Sequence, residues 1–305
     1  MGLIAQCLRF REMVVSFTRR DLQQRYVGSV LGWPWPFIQP LMMLGVYYLV
    51  FNVLLDIKVP PAWREQMAQR LGLEADSAAV GSFQVIVLCC GLIPWLATAE
   101  FLVRSAGVIL ESGSMVKKVR FPSEILPVAL IGSYVINMVI LFTVFLAFTW
   151  GLTLFRSPLF WLFPVVVVLH LMFMLGLGFL LATANVFVRD VGQLVPIFIN
   201  LWFFLSPIVY LREMLVNSEG EPATWLWVFD WNPLTYLMDL YRWTLVFPEE
   251  IRLTIDRSGQ ENIWIEVGMT DVFRELGIFA AIAISLYFIG YHVFMANKHR
   301  FADEL

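Results

Sequence analysis

Glu100 and Arg104 lie four residues apart in an otherwise apolar stretch, in the order that lets a carboxylate meet a guanidinium one helical turn later. Ionisable groups in such surroundings serve an ion or proton path, or form a structural pair whose arginine snorkels to the water boundary. Their place near one end of the stretch favours the structural pair. His170 and His292, each isolated in another apolar stretch, read as packed polar residues, because a proton relay would need more buried carboxylates than the sequence supplies. The lysines are Lys58, Lys117, Lys118 and Lys298, and none follows a glycine as a phosphate-cradling loop requires. No serine occupies a GxSxG elbow and no HExxH pair is present. Cys7, Cys89 and Cys90 have neither CxxC nor metal-ligand spacing. The expectation is no catalytic residue, no metal and no cofactor bound by this chain.

Aromatic side chains offer a different chemistry. Tyr47 and Phe51 share one helical face, Phe198 and Trp202 share another, and Trp95 follows the helix-bending Pro94. An aromatic face can stack on the apolar C–H face of a sugar ring and leave the hydroxyls to water. Such weak, repeated grip suits a threading path better than a tight site does. On the residues alone, ordinary helix packing and interfacial belts are the simpler account.

The elements that must carry these residues follow from composition. The chain has 305 residues, 59% hydrophobic and only 15% charged, against roughly 25% charged in soluble domains. Its mean hydropathy is +0.74. The net charge of -3 gives no bias toward nucleic acid, and a chain this apolar cannot remain disordered in water. Because about 20 apolar residues span a bilayer and charges at its centre are costly, the charges mark out the spans. Six uncharged stretches pass, which predicts helices near 33–55, 84–108, 125–153, 160–187, 192–211 and 276–296. An even number puts both termini on one side. Arg9, Arg11, Arg19, Arg20, Arg25, Lys117, Lys118, Arg120, Arg189, Lys298 and Arg300 fall on that side, against Lys58, Arg64, Arg70 and Arg156 in the short loops opposite. Both termini are therefore expected in the cytoplasm, with no cleavable signal peptide.

Phe10, Met13, Val14 and Phe17 recur at helical spacing opposite arginines, a pattern for a helix in the cytoplasmic interface or a plain basic anchor. Trp63, Met67 and Leu71 suggest a short surface helix on the outer side. Beyond residue 224 come Trp225, Trp227, Trp231, Tyr236, Tyr241 and Trp243, with Asp230, Asp239 and Arg242 too closely spaced for a full span. Asn232 before Pro233 is an N-cap and first-turn pair, so short interfacial or re-entrant helices are expected there. Alternation at Ile251, Leu253 and Ile255, then at Ile263, Ile265 and Val267, predicts a β-hairpin outside the membrane. The fold class is an all-α integral membrane protein: six transmembrane helices, an N-terminal amphipathic interface helix, short external gate helices and a small hairpin. It forms a single domain over 1–305, divided into 1–32, 33–211, 212–275 and 276–305. A six-helix bundle is too small to surround a hydrated polymer, so two copies are expected to form a channel between them, with small residues such as Gly178 and Ala182 at the contact.

The segment RDLQQRYVGSVLGWPWPFIQPLMMLGVYYLVF from Arg20 to Phe51 resembles the opening of ABC-2 type permeases that export bacterial cell-surface polysaccharides. The resemblance continues through IPW at 93–95, MVKKVRFPSEILP at 115–127, RDVGQLVPIFINLWFFLSPIVY at 189–210 and NPLTYLMDLYRWTL at 232–245. It implies the inner-membrane subunit of an O-antigen, capsule or teichoic-acid exporter, a homodimer working with two copies of an ATP-binding cassette subunit. ATP and Mg belong to that partner, and the substrate is a glycan on a polyprenyl pyrophosphate carrier. The resemblance puts the ATPase contact at residues 10–25 and 111–124, with Lys117, Lys118 and Arg120 at the membrane edge. It puts the lipid pyrophosphate entrance near Arg25, and the external gate at about 213–248. The substrate channel would then pass Tyr47, Phe51, Trp95, Phe198 and Trp202. Segments 58–80 and 250–268 depart from the shortest members. The alternatives are an ABC-2 drug or lipid exporter, an ion-coupled secondary transporter and, last, a lipid-modifying enzyme.

Overall fold

Every backbone group of a segment in lipid must be satisfied within the protein, which leaves helices as the solution for these apolar runs. The computed structural model describes residues 3–26, 49–54, 78–118, 122–151, 157–210, 225–246, 251–257, 260–267 and 269–305, with single positions between 35 and 46. Its N-terminal helices are α1 (Leu3–Arg9) and α2 (Arg11–Tyr26). A π-helical turn, Leu49–Leu54, falls in the stretch expected for the first span. Then come α3 (Ala78–Glu111), α4 (Gly113–Lys118), α5 (Ile125–Gly151), α6 (Phe163–Phe187) and α7 (Val191–Phe204). Short α8 (Trp227–Asp230) and α9 (Pro233–Leu245) precede β1 (Ile251–Arg257) and β2 (Gln260–Val267), and α10 (Met269–Asn297) and α11 (Phe301–Glu304) close the chain. Among the described residues four helices are long and apolar enough to cross a membrane: Val85–Glu111, Ile125–Ala147, Pro158–Phe187 and Met269–Glu304.

The strands pair antiparallel, Ile251 opposite Val267 and Leu253 opposite Ile265, with an irregularity between Ile255 and Arg257. Three span boundaries differ from expectation, the first being that α3 starts at Ala78 rather than 84. The fifth run was expected helical to 211, but α7 ends at Phe204, ahead of Ser206–Pro207, where proline disfavours helical backbone at the residue before it. The last helix starts at Met269 rather than 276. Its first turns carry Asp271, Arg274 and Glu275, and Arg274 bonds Asp271 at 3.1 Å on the solvent side.

The core lies where α6 packs on α3 and α10. Gly176 and Gly290 let the α6 and α10 backbones touch: a Cβ on Gly290 would overlap the Gly176 carbonyl oxygen, and one on Gly176 would stand 2.5 Å from the Leu286 carbonyl carbon. Gly178 and Ala182, expected between two copies, are buried inside one subunit. Gly178 faces the Phe101 ring of α3, which a Cβ would meet at 2.8 Å. Their small size marked them as contact residues, but the contact they make is within the subunit and not with a second copy. At the opposite end of the chain order, Leu3 of α1 and Phe301 of α11 share one apolar cluster with Ile109, Leu126, Phe179 and Phe294. Both chain ends thus sit at the same end of the bundle, beside the α3–α5 turn.

Candidate functional site

Helix α7 has 14 residues and so a length of about 21 Å, short of the ~30 Å hydrocarbon core. Val195, Ile199 and Phe203 face inward, while Leu194, Ile197, Phe198, Leu201 and Phe204 form an exposed apolar stripe. Phe198 is 66% exposed, and Trp202, one turn on, is half-buried. The Trp202 indole meets Trp95 edge to face at 6.3 Å and lies 6.3 Å from Phe173. Trp95 itself is buried, with Phe203 at 5.7 Å, so it backs Trp202 from inside the subunit. Tyr47 and the side chain of Phe51 lie outside the described residues.

One asparagine fixes the orientation of Trp202. Asn232 Oδ1 accepts from Trp202 Nε1 at 2.9 Å and from Leu234 N at 3.1 Å, the second being the N-cap bond of α9. Its Nδ2 donates to Leu205 O at 2.8 Å and Ser206 Oγ at 2.9 Å. The Asn-Pro pair announced the cap; that the same amide also holds the end of α7 is visible only in the packing.

Behind this tie, α9 is buried on every side from Leu234 to Leu245. It carries an ion pair that sequence reasoning left without a role. Arg242 Nη1 donates to Asp239 Oδ1 at 3.1 Å, and the two hydrogens of Nη2 are shared among the carbonyls of Pro207 (2.5 Å), Ile208 (3.0 Å) and Tyr210 (3.1 Å). A second polar set crosses from α3 to α6 and α9. Thr98 Oγ1 donates its proton to Pro94 O at 2.8 Å, so at 2.7 Å it accepts from His170 Nε2–H. Neutral His170 then accepts at Nδ1 from Tyr241 O–H, at 2.9 Å. Both ring nitrogens are engaged, as a packed polar residue requires.

At the other end, α2 turns Met13, Val14, Phe17, Thr18 and Asp21 inward and Arg11, Arg19 and Arg20 outward. Thr18 Oγ1 donates to Ala129 O at 2.8 Å, and Ser133 Oγ donates to Thr18 O at 3.2 Å. The helix is thus docked on α5. Arg104 was expected to pair with Glu100 along its own helix, but its ion pair reaches Asp21 of α2 at 2.7 Å. A cavity of about 350 Å³ opens between α2, the end of α3, α4 and the start of α5, lined by Phe17, Arg20, Asp21, Arg104, Glu111 and Met115, among others. Lys117 of α4 is exposed beside it. Lys118 belongs to α4 and Arg25 to α2, but their side chains, and all of Arg120, lie outside the described residues.

Glu124, buried where α5 begins, receives Lys298 Nζ at 3.4 Å. Burial first, and the Glu124 carboxylate second, push the nearby Cys7 thiol up, which keeps it protonated and poorly nucleophilic. Among the described residues no three His, Cys, Asp or Glu side chains are grouped to hold a metal ion.

Comparison with known proteins adds to this geometry. The family model described as ABC-2 type transporter matches residues 13–246. The chain is 27% identical over 306 residues to the O-antigen export system permease protein RfbA of Myxococcus xanthus, covering 99% of each chain. It is 24% identical over 297 residues to the protein of the same name from Klebsiella pneumoniae, covering 96% of this chain and 95% of that one.

Proposed function

The chain belongs to the ABC-2 type transporter family, and from that premise we propose that it is the permease subunit of an ATP-driven exporter of lipid-linked polysaccharide. The glycan, O-antigen-like and carried on a polyprenyl pyrophosphate, moves from the cytoplasm to the outer face of the inner membrane. The observation that carries this reading is the end-to-end similarity to permeases named for O-antigen export. Two copies of this chain form the channel and two ATP-binding cassette subunits drive it, with ATP and Mg bound in those partners. Six crossings are made by the 33–55 run, the four long helices and α7 together with the non-helical 205–210 segment that extends it. The excess of Lys and Arg at the end shared by Leu3 and Phe301 supports cytoplasmic termini.

The exposed stripe of α7 supports a path past Phe198 and Trp202, with Trp95 behind them and Tyr47 and Phe51 contributing from the first span. Arg25 meets the pyrophosphate at the cytoplasmic entrance, where a planar guanidinium suits a phosphate oxygen pair. Removal of the gene is expected to leave polymer inside the cell and strip it from the surface, read by immunoblot of surface and cytoplasmic glycan. Normal surface glycan would overturn the reading, and ATP-dependent loss of drug or lipid efflux in its place would point to the other ABC-2 exporters.

The docked α2 and the exposed α4 support an ATPase contact at this end. Lys117→Glu with Lys118→Glu is expected to cut copurification of the ATP-binding subunit, or its stimulation, at least about tenfold, since like-charge contacts at an interface cost several kcal/mol. Normal assembly with normal stimulation would remove these lysines from the coupling surface.

A further inference from the structure

Past Phe204 the chain continues in non-helical backbone, and such backbone persists at membrane depth only where protein satisfies its polar groups. Asn232 takes the Leu205 carbonyl, and a single fully buried side chain, Arg242, takes those of Pro207, Ile208 and Tyr210 while pairing with Asp239. The segment also lies against α3. Gly91 is the residue that admits it, because a Cβ there would stand 2.5 Å from Ile208 O. The exit from α7 is thus held by close approach to the α3 backbone and by one guanidinium.

The choice of arginine is informative. A buried ion pair is often no more stabilising than an apolar pair of equal volume, so its burial cost is not explained by stability alone. What the guanidinium adds is a rigid planar fork that can hold several acceptors in one arrangement. An ammonium on a flexible stem does not reproduce that fork. The arrangement it selects fixes the course of the chain directly after α7, the helix that carries Phe198 and Trp202.

We propose that Arg242 is a positioning residue for transport: it clamps the Leu205–Tyr210 segment and thereby holds the channel-side aromatics of α7 in place. The transport half rests on the polysaccharide-export reading, and the clamp half does not.

The test uses the full-length permease with its ATP-binding partner in lipid nanodiscs, and the same variants in cells. Arg242→Lys keeps the charge and loses the fork. Asp239→Leu with Arg242→Met removes both charges, so no unpaired buried charge threatens folding. In both, amide hydrogen exchange at Ser206, Ile208, Val209 and Tyr210 is expected to quicken at least about tenfold, with α5 and α6 at wild-type rates. Surface glycan is expected to fall about tenfold while the complex still hydrolyses ATP. A general loss of structure would instead quicken exchange throughout. If the double variant fails to assemble, the lysine variant carries the same readouts. Wild-type exchange at those amides overturns the clamp, and faster exchange with undiminished export overturns the positioning role. If the unaltered complex exports no glycan, the export reading falls and the exchange result still decides the clamp.

Discussion

Gly290→Val is expected to leave little folded protein in the membrane, the largest stability effect of any single substitution proposed for this chain. Gly290 of α10 crosses Gly176 of α6 with backbone against backbone, so a new methyl group meets a carbonyl rather than a side chain that could swing away. Ordinary overpacking costs ~1–3 kcal/mol because neighbours adjust; here the helices must part along their whole contact, and the cost lies at or above that range. Separation would also disturb the Phe173–Phe279 contact (5.7 Å) and the Phe179–Phe294 contact (5.0 Å), which flank the crossing. Gly290→Ala should fall between wild type and valine. Gly277 supplies the control on the same helix, since nothing lies within 4 Å of a Cβ there. Gly277→Ala should be neutral or gain up to ~1 kcal/mol from helix propensity. Thermal unfolding of the purified proteins and their level in membranes would measure the series. A Gly290→Val protein as abundant and stable as the Gly277→Ala protein would show that the α6–α10 crossing is not a close one.

The uncharged runs carried much of this architecture because the charge ruler reports where a chain can be in lipid. Helices α5 and α6 start and end within a few residues of the stretches that hydropathy marked. The same ruler fails where a run leaves helical geometry without leaving the apolar interior. Ser206 and Pro207 signal the end of α7 by local backbone sterics, which a count of charges does not register. It fails again at the start of α10, where three charged residues are carried on a helix already begun. Partners across the fold were hidden for another reason. The helical spacing rule pairs Arg104 with a residue one turn away, yet Asp21 reaches it from a helix 83 positions earlier. Likewise Gly178 was visible as a contact residue, but only packing identifies Phe101 as what it contacts. The candidate site divides in the same way. Exposure of Phe198 and enclosure of Trp95 depend on how α7 is rotated, and an aromatic pair four residues apart fixes a shared face without fixing what that face meets.

Phe198→Ala is expected to lower surface glycan by up to about tenfold with almost no change in stability, and that contrast is what makes it informative. An exposed side chain contributes little to the fold, so truncation should move unfolding by no more than ~0.5 kcal/mol. If the ring contacts each passing sugar, removing a contact of ~0.5–1.5 kcal/mol, the scale of aromatic pairing, corresponds to a change of up to about tenfold. Trp202→Ala combines two losses: the same kind of surface and the hydrogen bond to Asn232, which also caps α9. It should reduce export at least as far and measurably destabilise the junction of α7 with α9. Trp202→Phe separates these losses, because it keeps a ring against Trp95 and Phe173 and removes only the indole N–H. Export by Trp202→Phe closer to wild type than to Trp202→Ala would assign the role to the aromatic face; export as poor as Trp202→Ala would assign it to the bond with Asn232. Assembly with the ATP-binding subunit should persist in all three. Undiminished export by both alanine variants would take α7 out of the substrate path, and its apolar stripe would then be a surface for lipid or for the second copy.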